Sequence, residues 1–347
     1  MRKLAVLLSF TAAACTVGED FSRPALYNDS VIKQELALKN GTQPSKSWYA
    51  LFGDEQLNIL IEQGLKNSTD IEQAIAILRQ ARAELKISQA GFLPQINARG
   101  GYNYQKNSKN IGPTADTHYY NAGFDASWEL DIWGKGRRQD EAAAAMLKAE
   151  EYSLNQVKNV VAAEIASDYV NLKLAVEKLR IAKQNLALQR DIFGVVKSKY
   201  QSGLTDDIAY NQAEYLLNST ETQIPQLQSQ VEQYKNALAV LSGVLPSQLP
   251  LDSEKRSPIF SNAYQYNIKA MYNLPASVIR QRPDVAAAEQ NLAAQNALVG
   301  AAVADLYPNV SISALWGYAA SSGNSLFNSK SQGYSYEPLL SLPLLDW

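Results

Sequence analysis

The stretch PNVSISALWGY, Pro308 to Tyr318, decides the reading of this chain. Val310, Ile312, Ala314, Trp316 and Tyr318 fall on one side, and Asn309, Ser311 and Ser313 on the other. A period of two is that of a β-strand with one apolar and one polar face. Upstream, PQINARGGYNY (94–104) alternates in the same way. There Gln95, Asn97, Arg99 and Asn103 oppose Ile96, Ala98, Tyr102 and Tyr104. YNAGFDASWELDI (120–132) sets Asn121, Asp125, Ser127, Glu129 and Asp131 against Tyr120, Ala122, Phe124, Ala126, Trp128, Leu130 and Ile132. A fourth strand, Tyr334 to Leu344, alternates less well and contains Pro338 and Pro343, which suit a sheet poorly.

These strands belong to an internal repeat. Residues 60–133 align without a gap on 274–347. Asp70 falls on Asp284, Ala74 on Ala288, Pro94 on Pro308, Tyr104 on Tyr318 and Trp133 on Trp347. Each copy reads helix, strand, polar loop, strand. The first copy continues into residues 134–241, which have no second counterpart before Trp347. The expectation is of a C-terminally truncated sequence that lacks a second helical hairpin.

The remainder is helical. Leu57 to Ala90 is free of proline and reads as one helix that stops before Pro94. Arg137 to Gln201 holds no proline and one glycine, Gly194. Its apolar residues, among them Leu154, Val157, Val161, Ile165, Leu172, Val176 and Leu179, recur in threes and fours. At 1.5 Å per residue such a helix is roughly 100 Å long, more than a compact domain buries. QSGLTDD breaks it, and a return helix runs from Asp206 to Leu241, with Pro225 expected to bend or divide it.

Composition excludes several classes. The 347 residues are 46% hydrophobic and 19% charged, with net charge -2, which excludes an electrostatic nucleic-acid binder. One histidine and one cysteine leave no His/Cys metal cluster and no intrachain disulfide. No apolar run reaches the roughly 18 residues of a membrane-spanning helix. GKGRR lacks the spacing of a phosphate-binding loop. His118 reads as a solvated side chain in a polar loop, and no carboxylates form an evident acid/base couple. Catalytic residues, metal and non-covalent cofactor are therefore all expected to be absent.

The start, MRKLAVLLSFTAAAC, has a basic pair, a short apolar segment and small residues before Cys15. That is the layout of a secretory signal. The cysteine after Ala12-Ala13-Ala14 is similar to a bacterial lipoprotein cleavage site, with Cys15 acylated, although Ala12 stands where such sites usually carry leucine. An ordinary signal with an incidental cysteine is the alternative.

Strands of ten to thirteen residues with an apolar, aromatic-ended face and a polar face fit a membrane barrel, whose strands need about 9–11 residues. A soluble sandwich alternates likewise, but it carries about seven short strands. Four strands cannot close a barrel, and lipid forbids open edges. The barrel must be shared, by three chains for twelve strands or four for sixteen. Its polar face, hence the pore lining, is read as Gln95, Asn97, Arg99, Asp125, Glu129, Asp131, Asn309, Ser311 and Ser313. Asp125, Glu129 and Asp131 against Arg99 predict a mild cation preference.

At this point a family resemblance stands on specific blocks. LPASVIRQRPDVAAAEQNLAAQNALVGAAVADLYPNVSISA (274–314), WELDIWGKGRR (128–138), CTVGEDFSRP (15–24) and WYALFGDEQLNILIEQGL (48–65) resemble the TolC-like outer-membrane efflux proteins. The likeness is to the lipoprotein branch that serves resistance-nodulation-division pumps. It implies a mainly α fold with a transmembrane β part. Three chains form a trimeric channel-tunnel in which four strands per chain contribute to a twelve-stranded barrel, above a periplasmic tunnel of long helical hairpins.

The organisation implied is a signal peptide at 1–14, an acylated linker at 15–53 and a helix at 54–91. A first transmembrane hairpin at 92–133 and the helical hairpin at 134–243 follow. The chain then has an equatorial linker at 244–273, the repeat helix at 274–305 and a second transmembrane hairpin at 306–347. The resemblance implies passive conduction of small toxic compounds or drugs, with a periplasmic adaptor protein, an inner-membrane pump and outer-membrane lipid as partners. Within the family the alternative cargo is a metal ion or polypeptide. Outside it, the alternative is a non-conducting envelope protein. Tyr200, Gly203, Leu204 and Thr205 are the implied adaptor-docking tip, and Asp206 and Asp207 the implied periplasmic mouth. The gate is expected beyond Trp347.

Overall fold

The computed structural model describes residues 16–24, 48–106, 108, 116–252, 257–259 and 280–344. The signal segment 1–14, Cys15 and parts of both linkers lie outside the described residues. The chain divides into two compact units: Met1–Ala25 with Ile77–Tyr152 and Asp284–Trp347, and Leu26–Ala76 with Ser153–Pro283.

Five helices are described: α1 (Glu55–Asn67), α2 (Thr69–Ala90), α3 (Lys135–Gln201), α4 (Asp207–Leu241) and α5 (Pro283–Ala304). The strands are β1 (Gln95–Gln105), β2 (Thr117–Glu129), β3 (Asn309–Ala320) and β4 (Gln332–Ser341). Three expectations need correction. The helix expected over 54–91 is two helices, because Ser68 adopts an extended conformation at the end of α1. A buried serine there accepts the Glu72 N–H on its carbonyl and restarts the chain as α2. Pro225 does not divide α4, one of the two outcomes expected of it. His118 is not in a loop but in β2, opposite Tyr104.

In the first unit the four strands form one antiparallel sheet in the order β1-β2-β3-β4. Each pairs with its neighbour in the sequence, so β1 and β4 are edges. The register is continuous: Gln95 faces Ser127, Ser127 faces Ser313, and Ser313 faces Glu337. In consequence every odd-numbered strand residue lies on one face and every even-numbered one on the other. β4 starts at Gln332 and stops at Ser341, short of Pro343. Within those bounds it does alternate, and Pro338 sits on an edge strand, where a missing N–H is tolerated.

Helix α5 packs small residues. Ala294 and Ala297 are fully buried against Ala142 and Ala145 at the start of α3. Small side chains let the two backbones come close.

The second unit holds the main core. Leu57, Leu60 and Ile61 of α1 meet Val161, Ile165 and Leu172 of α3, and Val231 and Leu238 of α4. This is the stripe in threes and fours read from the sequence. Truncating Leu60 to alanine removes about 2–5 kcal/mol by cavity formation. Asp54 caps α1 by accepting the Gln56 N–H at 3.0 Å. Its other oxygen accepts from the Tyr169 hydroxyl at 2.8 Å and from the Ser257 hydroxyl at 2.5 Å. Burial and the Asp54 carboxylate push the Tyr169 phenol far up, so it stays a donor.

Candidate functional site: two strand faces and a hairpin tip

The even face is apolar. It carries Ile96, Tyr102, Tyr120, Phe124, Trp128, Val310, Ile312, Trp316, Tyr334, Tyr336 and Leu340. Among the described residues nothing covers most of it: Ile96 is 66% exposed, Phe124 50% and Tyr334 75%. Aromatic pairs gather near one end, with Tyr102 and Tyr120 at 4.8 Å between ring centres. Trp133 and Tyr307, at 4.9 Å, stand at the other end, just outside the strands. Aromatics at both ends of an apolar band are the pattern of interfacial girdles.

The odd face holds Gln95, Asn97, Arg99, Asp125, Glu129, Asn309, Ser311 and Ser313 together. Arg99 Nε donates to Asp125 Oδ1 at 2.7 Å, and Asn309 Nδ2 to Glu129 Oε1 at 2.8 Å. Arg99 begins a row continued by Gly123, Gly317 and Gly333. A β-carbon on Gly123 would stand 2.7 Å from the Gly317 Cα, and one on Gly317 would stand 2.8 Å from the Gly123 Cα. The two backbones therefore approach one another on the odd side too closely for a side chain at either place. A groove of about 300 Å³, lined by Arg99, Tyr119, Asn121 and Leu315, opens over the glycines.

Two residues change standing on this face. Asp131 was expected to line the pore, but it lies beyond the end of β2. Its carboxylate accepts the backbone N–H of Gly136 at 2.9 Å and of Arg137 at 3.1 Å, and it pairs with the Arg137 guanidinium. It serves the start of α3, whose free N–H groups attract an acid. Glu337 was missed. It lies on the odd face opposite Ser313, and it escaped notice because extending β4 to Leu344 blurred the alternation.

The hairpin tip joins α3 to α4. Gly203 has φ +68°, and its N–H donates to the Tyr200 carbonyl at 3.0 Å. Leu204 donates back to Lys199 at 2.8 Å, closing the helix end. Asp206 caps α4 through the Ala209 N–H at 2.9 Å. Asp207 accepts the Tyr200 hydroxyl, which holds that phenol above the usual tyrosine range. Both acids read as a periplasmic mouth thus have work within the tip. Tyr210, absent from the sequence reading, packs a tilted ring against Tyr200 at 4.9 Å and Phe193 at 5.4 Å between ring centres. Thr205 is half-buried, and Leu204 is 76% exposed.

Among the described residues no helix is long and apolar enough to cross a membrane. The family model described as "Outer membrane efflux protein" matches residues 60–244 and 274–347. The chain belongs to this family. It is the outer-membrane channel component of an efflux system, mainly helical with a four-stranded antiparallel sheet. It is 29% identical over 351 residues to the cation efflux system protein CusC of Escherichia coli K12, covering 98% of this chain and 74% of that protein. It is 28% identical over 357 residues to the probable outer membrane lipoprotein SilC of Salmonella typhimurium, covering all of this chain and 74% of that protein. Among solved structures, the outer-membrane channel OprN superposes with a TM-score of 0.78 at 30% identity, over 95% of this chain and 73% of that one.

Proposed function

We propose that three copies of this efflux protein build one twelve-stranded outer-membrane barrel and conduct small toxic compounds passively through it. One observation carries the proposal: a sheet with an uncovered apolar face, a polar face and two edges that no described strand of the chain pairs. Water penalises the first and lipid the last, so only a closed ring of several such sheets in a bilayer satisfies both. The close approach at Gly123 and Gly317 lets the sheet curl with its polar face toward the lumen. Gln95, Asn97, Arg99, Asp125, Glu129, Asn309, Ser311 and Ser313 then line the pore, with Glu337 added.

The helical hairpins form the periplasmic tunnel, and the tip at Tyr200, Gly203, Leu204 and Thr205 meets a periplasmic adaptor. The energy comes from an inner-membrane pump, since the family resemblance implies no energy source in the channel itself. Cys15 carries the lipid anchor, a reading supported by the likeness to SilC. A second cargo, metal cations, is favoured by the likeness to CusC. Purified full-length protein in planar bilayers tests the channel: discrete, salt-dependent conductance from trimers is expected. A non-conducting, freely soluble monomer overturns it. Susceptibility of a deletion strain to drugs and to metal salts, measured side by side, separates the two cargoes.

A further inference from the structure

Arginine is misplaced near a helix N-terminus, where the macrodipole repels cations. Arg138 nonetheless sits in the first turn of α3, and its side chain is only 3% exposed. All three of its guanidinium nitrogens are engaged. Nε donates to the Val17 carbonyl at 3.2 Å and Nη2 to the Gly18 carbonyl at 2.9 Å. Nη2 also meets Asp20 Oδ1 at 2.8 Å, and Nη1 meets Glu141 Oε2 at 2.8 Å. Three of these four partners belong to one short segment, 17–20, more than a hundred residues away in sequence.

That segment is held along its length. Val17 donates its N–H to the Trp133 carbonyl at 3.1 Å. Asn296 Nδ2 of α5 donates to the Glu19 carbonyl at 3.0 Å. Arg23 pairs with Glu289, two turns further toward the start of α5. Two glycines set the crossing point. Gly18 has φ +88°, and a β-carbon on it would stand 2.6 Å from the Gly300 Cα. One on Gly300 would stand 2.9 Å from Arg138 Nε. Only glycine at both places lets the segment pass between α5 and the arginine. At the other end Thr16 lies on Gly134: a β-carbon there would stand 2.9 Å from the Thr16 Cα.

We propose that Thr16–Arg23 is an intramolecular strap, locked by Arg138 into the groove between the start of α3 and α5. It clamps the two sequence repeats together. The clamp follows from connectivity, since α3 continues the first repeat and α5 opens the hairpin of the second. Thr16 rests beside Gly134, five residues beyond the end of β2, and Trp133 Nε1 there donates to the Pro308 carbonyl, immediately before β3, so the strap's first residue also lies where the two hairpins meet. Arg138 is a positioning residue.

The test uses the full-length protein in its own outer membrane, with the pair Glu19→Cys and Asn296→Cys as a reporter of docking. Spontaneous disulfide formation is expected with wild-type Arg138, and also with Cys15→Ser, because docking does not need the lipid. Arg138→Gln should lower the disulfide fraction roughly tenfold or more, the cost of a lost charge-assisted hydrogen bond. Gly18→Val should do the same from within the strap, because its side chain has no room against Gly300 of α5. Both should lower the thermal midpoint of the trimer while palmitate labelling of Cys15 persists. An unchanged disulfide fraction in Gly18→Val, or an unchanged midpoint once docking is lost, overturns the strap. Single-channel conductance of the wild type is read separately, so the channel can stand where the strap fails.

Discussion

Arg99 and Asp125 meet diagonally across β1 and β2, with the guanidinium Nε 2.7 Å from the carboxylate oxygen. The pair neutralises one of the acids that the sequence offered as the source of cation selectivity. Asp131, a second, is absorbed by the start of α3. The lumenal charge then rests on Glu129 and Glu337. Arg99→Gln is expected to strengthen cation preference by freeing Asp125. The double change Glu129→Gln with Glu337→Gln is expected to bring the cation and anion permeabilities together. Asp131→Asn should leave selectivity alone and cost about 1 kcal/mol of stability through the lost cap. Reversal potentials under a salt gradient decide among these, and an effect of Asp131→Asn equal to that of Glu129→Gln returns Asp131 to the pore.

Gly317 and Gly123 make a second prediction. Each lacks room for a β-carbon, and the neighbour in the way is backbone, which cannot swing aside. Gly317→Val is expected to cost about 1–3 kcal/mol as overpacking and to flatten the curl. A flatter sheet closes a ring less readily, so trimer yield in the outer membrane should fall. Gly333, with nothing within 4 Å, serves as the control, and Gly333→Ala should be silent. Equal yields for the two variants would remove the curvature argument.

The strand faces were legible because lipid and water impose a period of two, which Tyr119 and Leu315 on the polar face and His118 on the apolar one interrupt only at single positions. The long helix was equally plain, since one apolar stripe in threes and fours continues through Leu172 and beyond. What stayed hidden depends on distant partners. Nothing near Arg138 in the sequence announces Val17, Gly18 or Gly300. The one available signal was electrostatic: Lys135, Arg137 and Arg138 crowd a helix N-terminus that disfavours them. The structure answers with Asp305, Asp131 and the strap respectively. Ser68 and Asp131 show a related limit. Both sit in runs that satisfy a longer periodic reading, and capping cut those runs short.

The tip separates turn from docking. Gly203 holds φ +68° with open space around it, so Gly203→Ala pays only the left-handed backbone penalty, about 1 kcal/mol. The Leu204 side chain is exposed and its part in closing the helix is made by the backbone, so Leu204→Ser should change stability by less than about 0.5 kcal/mol. If the tip docks an adaptor, Leu204→Ser should nevertheless reduce efflux in cells and cross-linking to the adaptor, with trimer levels unchanged. Full efflux in that variant moves the docking surface elsewhere.

Asp168 yields a pH-dependent prediction with a defined sign. It sits on α3 beside the buried Tyr169, and partial burial pushes its carboxyl above the ordinary aspartate range. Folding therefore favours the protonated form. The stability tied to that proton is complete below the unfolded value, about 3.9, and is lost as pH rises through the higher folded value. At neutral pH the folded chain carries the cost of a poorly solvated carboxylate, with no hydrogen bond or ion pair described to offset it. Asp168→Asn removes the charge and keeps the shape. It should raise the thermal midpoint at pH 7, and the gain should shrink toward zero near pH 4, where the wild-type carboxyl is already protonated. Melting curves of both proteins in detergent across pH 4 to 8 provide the measurement. A gain that is the same at every pH would mean that the asparagine acts through packing, and a loss at pH 7 would mean that the carboxylate has a partner.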